Sequence, residues 1–339
     1  MKIVIVGFGT AGKHYLNLIK SKKKVELFIT DKIKLPASKI YKQISFNNII
    51  KKKIKFDYAI IASPSGLHFE HALFFLKRGS NVLIEKPFVL RLDHAKKLIS
   101  ISKRKKLKCW TSLQNRYNLA TSKLKSEINS KSIGKISLVD CTMLWHRDKK
   151  YYSNSWRGKY SSDGGVLTNQ AIHLLDTLIY NFGNVLSFDV FADFNKKKLE
   201  AEDLILINFK HTNGLLSSFK ATTRANNNYR SAIDVIGDKG RIIVKGVSLN
   251  TFSKFKNDNL VLNNKFSENF GENQGAKGGM GFGHKKILNE FLQNKKKSSK
   301  HLEIQYNYYL LKLIHSLYNN IKSRKKFNKI SNKESKLGK

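Results

Sequence analysis

Two side chains able to handle a proton stand out in this chain. Lys86 follows the apolar run Asn81-Val82-Leu83-Ile84 and Glu85, and precedes Pro87. His173 lies on an apolar segment, with Asn169 four residues before it and Asp176 three after it. An imidazole titrates near working pH and suits a general base. An ammonium suits stabilisation of a developing alkoxide, or of the carbonyl oxygen in reverse. A lysine with a lowered pKa also serves as a base, so the two roles are exchangeable. Asn169 cannot relay a proton, but its amide can orient a substrate or an imidazole. Asp176 is expected to fix the imidazole tautomer. The four-residue spacing puts Asn169 and His173 on one face of a single helix expected from about Val166 to Phe182. Together these groups suit removal of a hydroxyl proton while a bound carrier takes hydride from carbon.

The carrier's site is read at the N-terminus. The turn Gly7-Phe8-Gly9-Thr10-Ala11-Gly12 follows the run Ile3-Val4-Ile5-Val6 and leads into a helix expected from Ala11 to Ile19. Strand, glycine turn and helix in that order form a dinucleotide-binding context. The first glycine permits the tight turn, the second lets backbone N–H groups approach a pyrophosphate, and the third lets helix and strand pack closely. The helix N-terminus faces the phosphates with its positive end. Asp31 lies 19 residues after Gly12, at the end of the next apolar run. A carboxylate there accepts ribose hydroxyls and repels a 2′-phosphate. Lys32 and Lys34 could accommodate that phosphate, so NAD is favoured and NADP stays open.

These residues need strands to hold them. Tyr58-Ala59-Ile60-Ile61-Ala62 reads as a buried strand ending at Ser63-Pro64-Ser65-Gly66. A helix is expected from about Leu67 to Lys77, a strand at Asn81 to Ile84, a helix from Arg91 to Lys103 and a strand from Leu107 to Thr111. Alternation of this kind implies a parallel sheet with crossover helices, whose ligands sit at the carboxyl ends of the strands. Gly7 to Gly12, Asp31, Ser63, Pro64 and Glu85-Lys86-Pro87 all fall at such ends. The lysine-rich stretch after the second strand receives no assignment.

The pattern changes near residue 115. A helix from about Leu119 to Ile128 precedes an alternating run, Ile136 to Trp145, and a polar aromatic loop, Arg147 to Ser162. Strand-like runs follow at Leu186 to Phe191, Leu204 to Phe209, Leu215 to Phe219, Ala232 to Ile236 and Arg241 to Val244, some separated by glycine turns. The expected fold class is α/β: a Rossmann dinucleotide-binding domain over 1–115, then an α+β domain over 116–325. The second domain has a large, mostly antiparallel, open-faced sheet, and its last helix is expected to return to the first domain. Gly271 to Gly283 reads as a loop or lid, and 326–339 as a basic tail.

The net charge of +40 suggests nucleic acid at first sight. Its make-up argues against that reading. Only 10 of the 64 basic residues are arginine, the residue suited to bidentate reading of bases and phosphates. The lysines occur in scattered short runs, expected as solvated faces. No apolar run approaches the length of about 18 needed to span a membrane. With no secretory signal at the N-terminus, and Cys109 and Cys141 the sole cysteines, a reducing cytoplasm is expected. No histidine or cysteine spacing suggests a metal.

Taken in order, Gly7 to Gly12, Ser63-Pro64-Ser65-Gly66-Leu67-His68, Glu85-Lys86-Pro87 and Asp163-Gly164-Gly165 with Asn169, His173 and Asp176 resemble the glucose–fructose oxidoreductase/inositol dehydrogenase (Gfo/Idh/MocA) family. The resemblance runs from Lys2 to the final helix. It implies an NAD(P)-dependent oxidoreductase acting on a sugar hydroxyl, assembled as a homodimer or homotetramer through the exposed sheet face. Cofactor contacts are expected from Gly7, Phe8, Gly9, Thr10, Ala11, Gly12, Asp31, Lys32, Ser63, Pro64, His68, Glu85, Lys86 and Gln114. Lys86, Asn169 and His173 are the expected catalytic set. Substrate contacts are expected from Lys86, Arg116, Trp156, Arg157, Asn169 and His173.

Within that family, Gln114-Asn115-Arg116-Tyr117, Ser155-Trp156-Arg157-Gly158 and Asn169-Gln170-Ala171-Ile172-His173 are most similar to nucleotide-sugar 3-dehydrogenases. These oxidise UDP-N-acetyl-hexosaminuronic acids on the way to surface polysaccharides. Many family members carry Asp where this chain has Asn169, which removes a His–Asp proton relay. A dehydrogenase of free sugars or inositols is the alternative. A cofactor-binding sensor of nucleic acid is a more distant one.

Overall fold

The computed structural model describes residues 1–153, 156–194, 199–257, 259–265, 283–293 and 300–321. The 326–339 tail and all but the last residue of the Gly271 to Gly283 stretch lie outside the described residues.

The first layer is a six-stranded parallel sheet in the order β3-β2-β1-β4-β5-β6. Its strands are β1 (Lys2–Val6), β2 (Glu26–Thr30), β3 (Lys42–Gln43), β4 (Tyr58–Ile61), β5 (Asn81–Ile84) and β6 (Cys109–Thr111). Crossovers are made by α1 (Thr10–Ile19), α2 (Phe46–Lys51), α3 (His68–Lys77) and α4 (Leu92–Arg104). Both faces of β1 are covered, which explains its unbroken apolar run. Ile3 and Ile5 point into one core, Val4 and Val6 into the other. The lysine-rich stretch holds the edge strand β3 and α2, capped by Ser45 accepting from the Asn48 N–H. The chain turns from β1 to β2 on one side and to β4 on the other. The crevice at the carboxyl ends of β1 and β4 is therefore the topological switch point.

The linking segment Gln114–Tyr117 is a short 3-10 turn. After it come α5 (Leu119–Asn129), β7 (Ile136–Leu144), α6 (Lys149–Tyr152), α7 (Val166–Asn169) and α8 (Ile172–Phe182). Then follow β8 (Val185–Asp193), β9 (Leu204–His211), β10 (Leu216–Thr222), β11 (Arg230–Gly237), β12 (Gly240–Lys245), β13 (Thr251–Lys256) and β14 (Asn259–Lys265). The eight strands lie in the order β14-β13-β12-β11-β7-β10-β9-β8. All neighbours are antiparallel except β7 and β10, which run parallel. The strands β13 and β14 went unread in the sequence, because their lysines and asparagines break the apolar pattern.

Alternate residues of β9 and β10 are buried, so one sheet face packs against the core and the other is open. The open face carries apolar side chains, with Leu186 65% and Leu216 54% exposed. The chain closes with α9 (Gly283–Leu292) and α10 (Ile304–Asn319). α10 lies against α4 and β6 of the parallel layer, and the His315 ring reaches the Leu90 carbonyl at 2.9 Å. Among the described residues no helix is long and apolar enough to cross a membrane.

Candidate active site

The glycine turn has the shape its residues suggested. Gly7 has φ +91°, and its N–H donates to the Thr30 carbonyl at 2.8 Å. A Cβ on Gly12 would lie 2.1 Å from the Gly7 carbonyl oxygen, so helix and strand pack too closely for a side chain. A Cβ on Gly9 would meet nothing within 4 Å. Gly9 is also the N-cap of α1 and gives its first N–H groups no side-chain acceptor. Open space and unpaired N–H groups at a positive helix end suit a pyrophosphate. Asp31 follows β2, and its carboxylate accepts from the Phe8 N–H at 2.6 Å and the Ile33 N–H at 2.9 Å. These bonds aim the carboxylate at the mouth of the turn. Lys32 is exposed beside it. The residues present fit a dinucleotide.

At the next strand end, Glu85 is buried. It accepts from the Tyr15 hydroxyl at 2.8 Å and lies 3.4 Å from His284 Nε2. Burial alone would raise its carboxyl, but His284, Tyr15 and Lys86 hold it at about 2. Sequence reasoning gave neither Tyr15 nor His284 a role. Tyr15 is three residues past Gly12 on the helix that the turn opens, a placement readable in hindsight. No spacing signals His284, which comes from a distant helix.

Lys86 crosses from the parallel layer to the second domain. Its Nζ donates to the Asn169 backbone carbonyl at 2.6 Å. Burial lowers its pKa, Glu85 opposes that, and Arg157 and Arg147 add to it. Burial also holds the His173 pKa well below the usual histidine value, and Lys86 adds to that. His173 Nε2 is 3.0 Å from Gln114 Nε2. Gln114 Oε1 is otherwise buried without a partner among the described residues, so the amide turned to accept from Nε2–H satisfies it and leaves the unpartnered Nδ1 with the lone pair that a base needs.

Asn169 and His173 do not share one continuous helix. The Ala171 N–H reaches back to the Val166 carbonyl at 2.8 Å, a five-residue turn wider than an α-helical one. The break ends α7 at Asn169 and starts α8 at Ile172. Asn169 therefore faces Asp163 and α6: its Nδ2 donates to Asp163 Oδ2 at 2.7 Å and to the Tyr151 hydroxyl at 3.3 Å. Gln170 Nε2 also donates to that hydroxyl, at 3.1 Å. Arg157 Nη1 donates to it as well, and the Arg157 guanidinium sits 3.9 Å from the Tyr151 ring centroid and 4.4 Å from that of Trp156. Burial raises the Asp163 carboxyl to about 6, against the Gly158 N–H and Arg157. Tyr151 was missed because a single aromatic residue in the one-turn helix α6 carries no spacing signal.

Three expectations need correction. Asp176 does not set the His173 tautomer: Arg116 takes its carboxylate, with Nε donating at 2.9 Å. Arg116 also donates to the His301 carbonyl at 2.6 Å and to Asn307 Oδ1 at 2.7 Å. Its guanidinium is thus committed inside the fold rather than turned to a substrate. His68 is 1% exposed, and its nitrogens lie 2.8 Å from the Pro87 and Ser63 carbonyls. It ties two strand ends together instead of offering a nitrogen to the cofactor. Ser63 is half-buried at the end of β4, with Oγ 2.9 Å from His71 Nδ1, and Pro64 follows it.

Comparison with known proteins agrees with the fold. A model described as oxidoreductase family, NAD-binding Rossmann fold, matches residues 1–113, and a GFO/IDH/MocA C-terminal domain model matches residues 121–243. Glucose-6-phosphate 3-dehydrogenase of Bacillus subtilis is 27% identical, and the match covers 60% of each chain, less than two thirds of that relative. Myo-inositol 2-dehydrogenase of Thermotoga maritima is 26% identical over 73% of this chain and 76% of its own. The WlbA dehydrogenase of Bordetella pertussis, solved with NADH and UDP-GlcNAcA, superposes with a TM-score of 0.77. It is 24% identical and covers 94% of this chain and 96% of its own. With both halves of the chain matched in order, the protein belongs to the GFO/IDH/MocA oxidoreductase family and carries its NAD-binding Rossmann fold.

Proposed function

We propose that this protein moves hydride between a nicotinamide dinucleotide and a secondary hydroxyl or keto group of a sugar. The substrate we favour is a nucleotide-linked N-acetylhexosaminuronic acid, reacting at its 3-position on a route to surface polysaccharide. The observation that carries the reading is the half-buried Lys86 ammonium held on the Asn169 carbonyl at 2.6 Å. It brings the cofactor side of the molecule and the α7–α8 region into one site. A dinucleotide bound on the glycine turn supplies the hydride acceptor.

The chain's own residues handle the oxygen. His173, neutral because burial depresses its pKa, accepts the hydroxyl proton. Lys86 donates to the oxygen as it gains negative charge, in a site where little water screens the interaction. Asn169 holds Lys86 through its carbonyl and Asp163 through its amide, and so orients without relaying a proton. Gln114 meets His173 Nε2 and fixes the ring.

The direct test is a panel of UDP-sugars, free hexoses and inositols, with NAD+ or NADP+, read by absorbance of the reduced cofactor. Turnover of UDP-N-acetylhexosaminuronates above the others is expected. Turnover confined to inositols or free sugars would establish the alternative, which the myo-inositol 2-dehydrogenase relative supports. No turnover of any polyol would remove both. The apolar open sheet face supports a homo-oligomer, checked by light scattering.

A further inference from the structure

We propose that Arg147 and Arg157 form an oxyanion subsite, next to Lys86, that takes the carboxylate of the sugar. The proposal rests on the sugar reading above and assigns the residues that hold the acid group.

Both guanidinium groups approach one ring: their central carbons lie 5.2 Å (Arg147) and 3.9 Å (Arg157) from the Tyr151 centroid. Tyr151 is tied to the reactive end of the site. Its hydroxyl receives Asn169 Nδ2 at 3.3 Å, and the Asn169 carbonyl holds Lys86. Three cations therefore gather on one side of the cleft. Elsewhere, Arg116 pairs with Asp176, Arg224 with Asp193 and Asp203, Arg241 with Asp234, and Arg91 with Asp93.

Arg147 and Arg157 form no ion pair with a carboxylate among the described residues. Arg147 Nη1 reaches the His146 carbonyl at 2.6 Å and Asn228 Oδ1 at 3.4 Å, and its guanidinium also meets the Tyr151 hydroxyl; none of these is an anion. Arg157 Nε is buried without a hydrogen-bond partner among the described residues. Asp163 does not fill the gap, since its oxygens accept from the Gly158 N–H at 2.7 Å and from Asn169. A half-buried cluster of cations with an unused N–H is costly unless an anion completes it. A planar carboxylate matches the guanidinium fork. The subsite adjoins Lys86, so the anion it receives is one borne near the reacting carbon. That selects a uronate carboxylate over the diphosphate of a nucleotide.

The test compares UDP-N-acetylglucosaminuronate with UDP-N-acetylglucosamine, which share the diphosphate and differ in the acid group. Wild type is expected to prefer the acid in kcat/KM by at least about a hundredfold. Arg147→Met and Arg157→Met should each shrink that preference roughly tenfold or more, mainly through KM, while NADH affinity and thermal melting stay near wild type. An equal loss on both sugars would assign the arginines to the diphosphate and overturn the proposal. An unchanged preference would overturn it too. A second arm is independent of nucleotide-sugar turnover: D-glucuronate and D-glucose are titrated into the NADH complex and followed by cofactor fluorescence. Glucuronate should bind more tightly than glucose to wild type, and the advantage should vanish in Arg157→Met. That result would keep the subsite even if nucleotide sugars prove not to be substrates. No advantage in wild type would remove it.

Discussion

The Lys86 ammonium and the Asn169 backbone oxygen lie 2.6 Å apart, although 83 residues separate them in the chain. One comes from the end of β5 and the other from the broken turn between α7 and α8. Under the proposed function, this half-buried cation is the one that meets the sugar oxygen. Predictions follow from that placement and from the groups around it.

Lys86→Met and His173→Ala should each lower kcat at least about a hundredfold while leaving NADH affinity nearly unchanged. Steady-state kinetics and fluorescence titration check both. If His173 is the base, activity is lost as pH falls through its pKa. Burial, reinforced by Lys86, depresses that value, so the acid limb of kcat/KM should lie below pH 6.5. A limb at or above that value would point to another base.

Gly9→Ala and Gly12→Ala should fail for different reasons. Gly12→Ala drives a Cβ to 2.1 Å from backbone, so the protein itself should melt at lower temperature. Gly9→Ala places its Cβ in open space, so melting should hold while NADH affinity falls at least about tenfold. Calorimetry without cofactor, followed by titration with it, separates the two. Equal melting temperatures for the pair would contradict the packing argument.

Asp31→Asn should weaken NAD+ and relieve repulsion of NADP+, shifting the ratio of dissociation constants by roughly tenfold, or about 1.4 kcal/mol. Isothermal titration with both cofactors reads it. An unmoved ratio would mean that Asp31 serves only the Phe8 and Ile33 N–H groups it already holds.

Arg116→Met should act on stability more than on substrate affinity. The Arg116–Asp176 pair is buried, with side chains 9% and 2% exposed. Breaking it strands a buried carboxylate, at about 3–5 kcal/mol. Urea unfolding should show the loss, and the folded fraction should keep its KM. A selective rise in KM would return Arg116 to the substrate site.

Glu202 is fully buried, and burial raises its carboxyl from 4.5 to about 7, against the Leu167 N–H and the Tyr318 hydroxyl. Between those values the folded state holds the proton more tightly than the unfolded chain. The stabilisation is complete below about pH 4.5 and is lost as pH rises through about 7. Glu202→Gln removes this dependence. Its stability relative to wild type should rise between pH 5 and 8, by up to about 3 kcal/mol. Parallel melts at the two pH values test this. A difference that does not move with pH would show that Glu202 is already ionised in the fold.

The parallel layer was readable because both of its faces are buried. Its inner strands must be apolar throughout, and Gly7 and Gly12 sit where backbone meets backbone, whereas the exposed edge strand β3 carries no such signal. The strands β13 and β14 stayed hidden because one face of that sheet is open and tolerates lysine and asparagine. The break after Asn169 was also invisible, since Asn169-Gln170-Ala171-Ile172-His173 contains neither proline nor glycine. Nothing local separates it from a continuous helix.

Chemistry-bearing residue types and their strand-end positions follow from sequence, because a tight turn, a buried strand and a helix start each demand particular residues at short range. Partnership among those residues is long-range, and only folding decided it. Asp176 went to Arg116 rather than to His173, His68 to two main-chain carbonyls, Glu85 to Tyr15 and His284, and Tyr151 to the centre of the cationic side of the cleft. Each of these depends on which distant segments pack together, and on the need of every buried polar group for a partner.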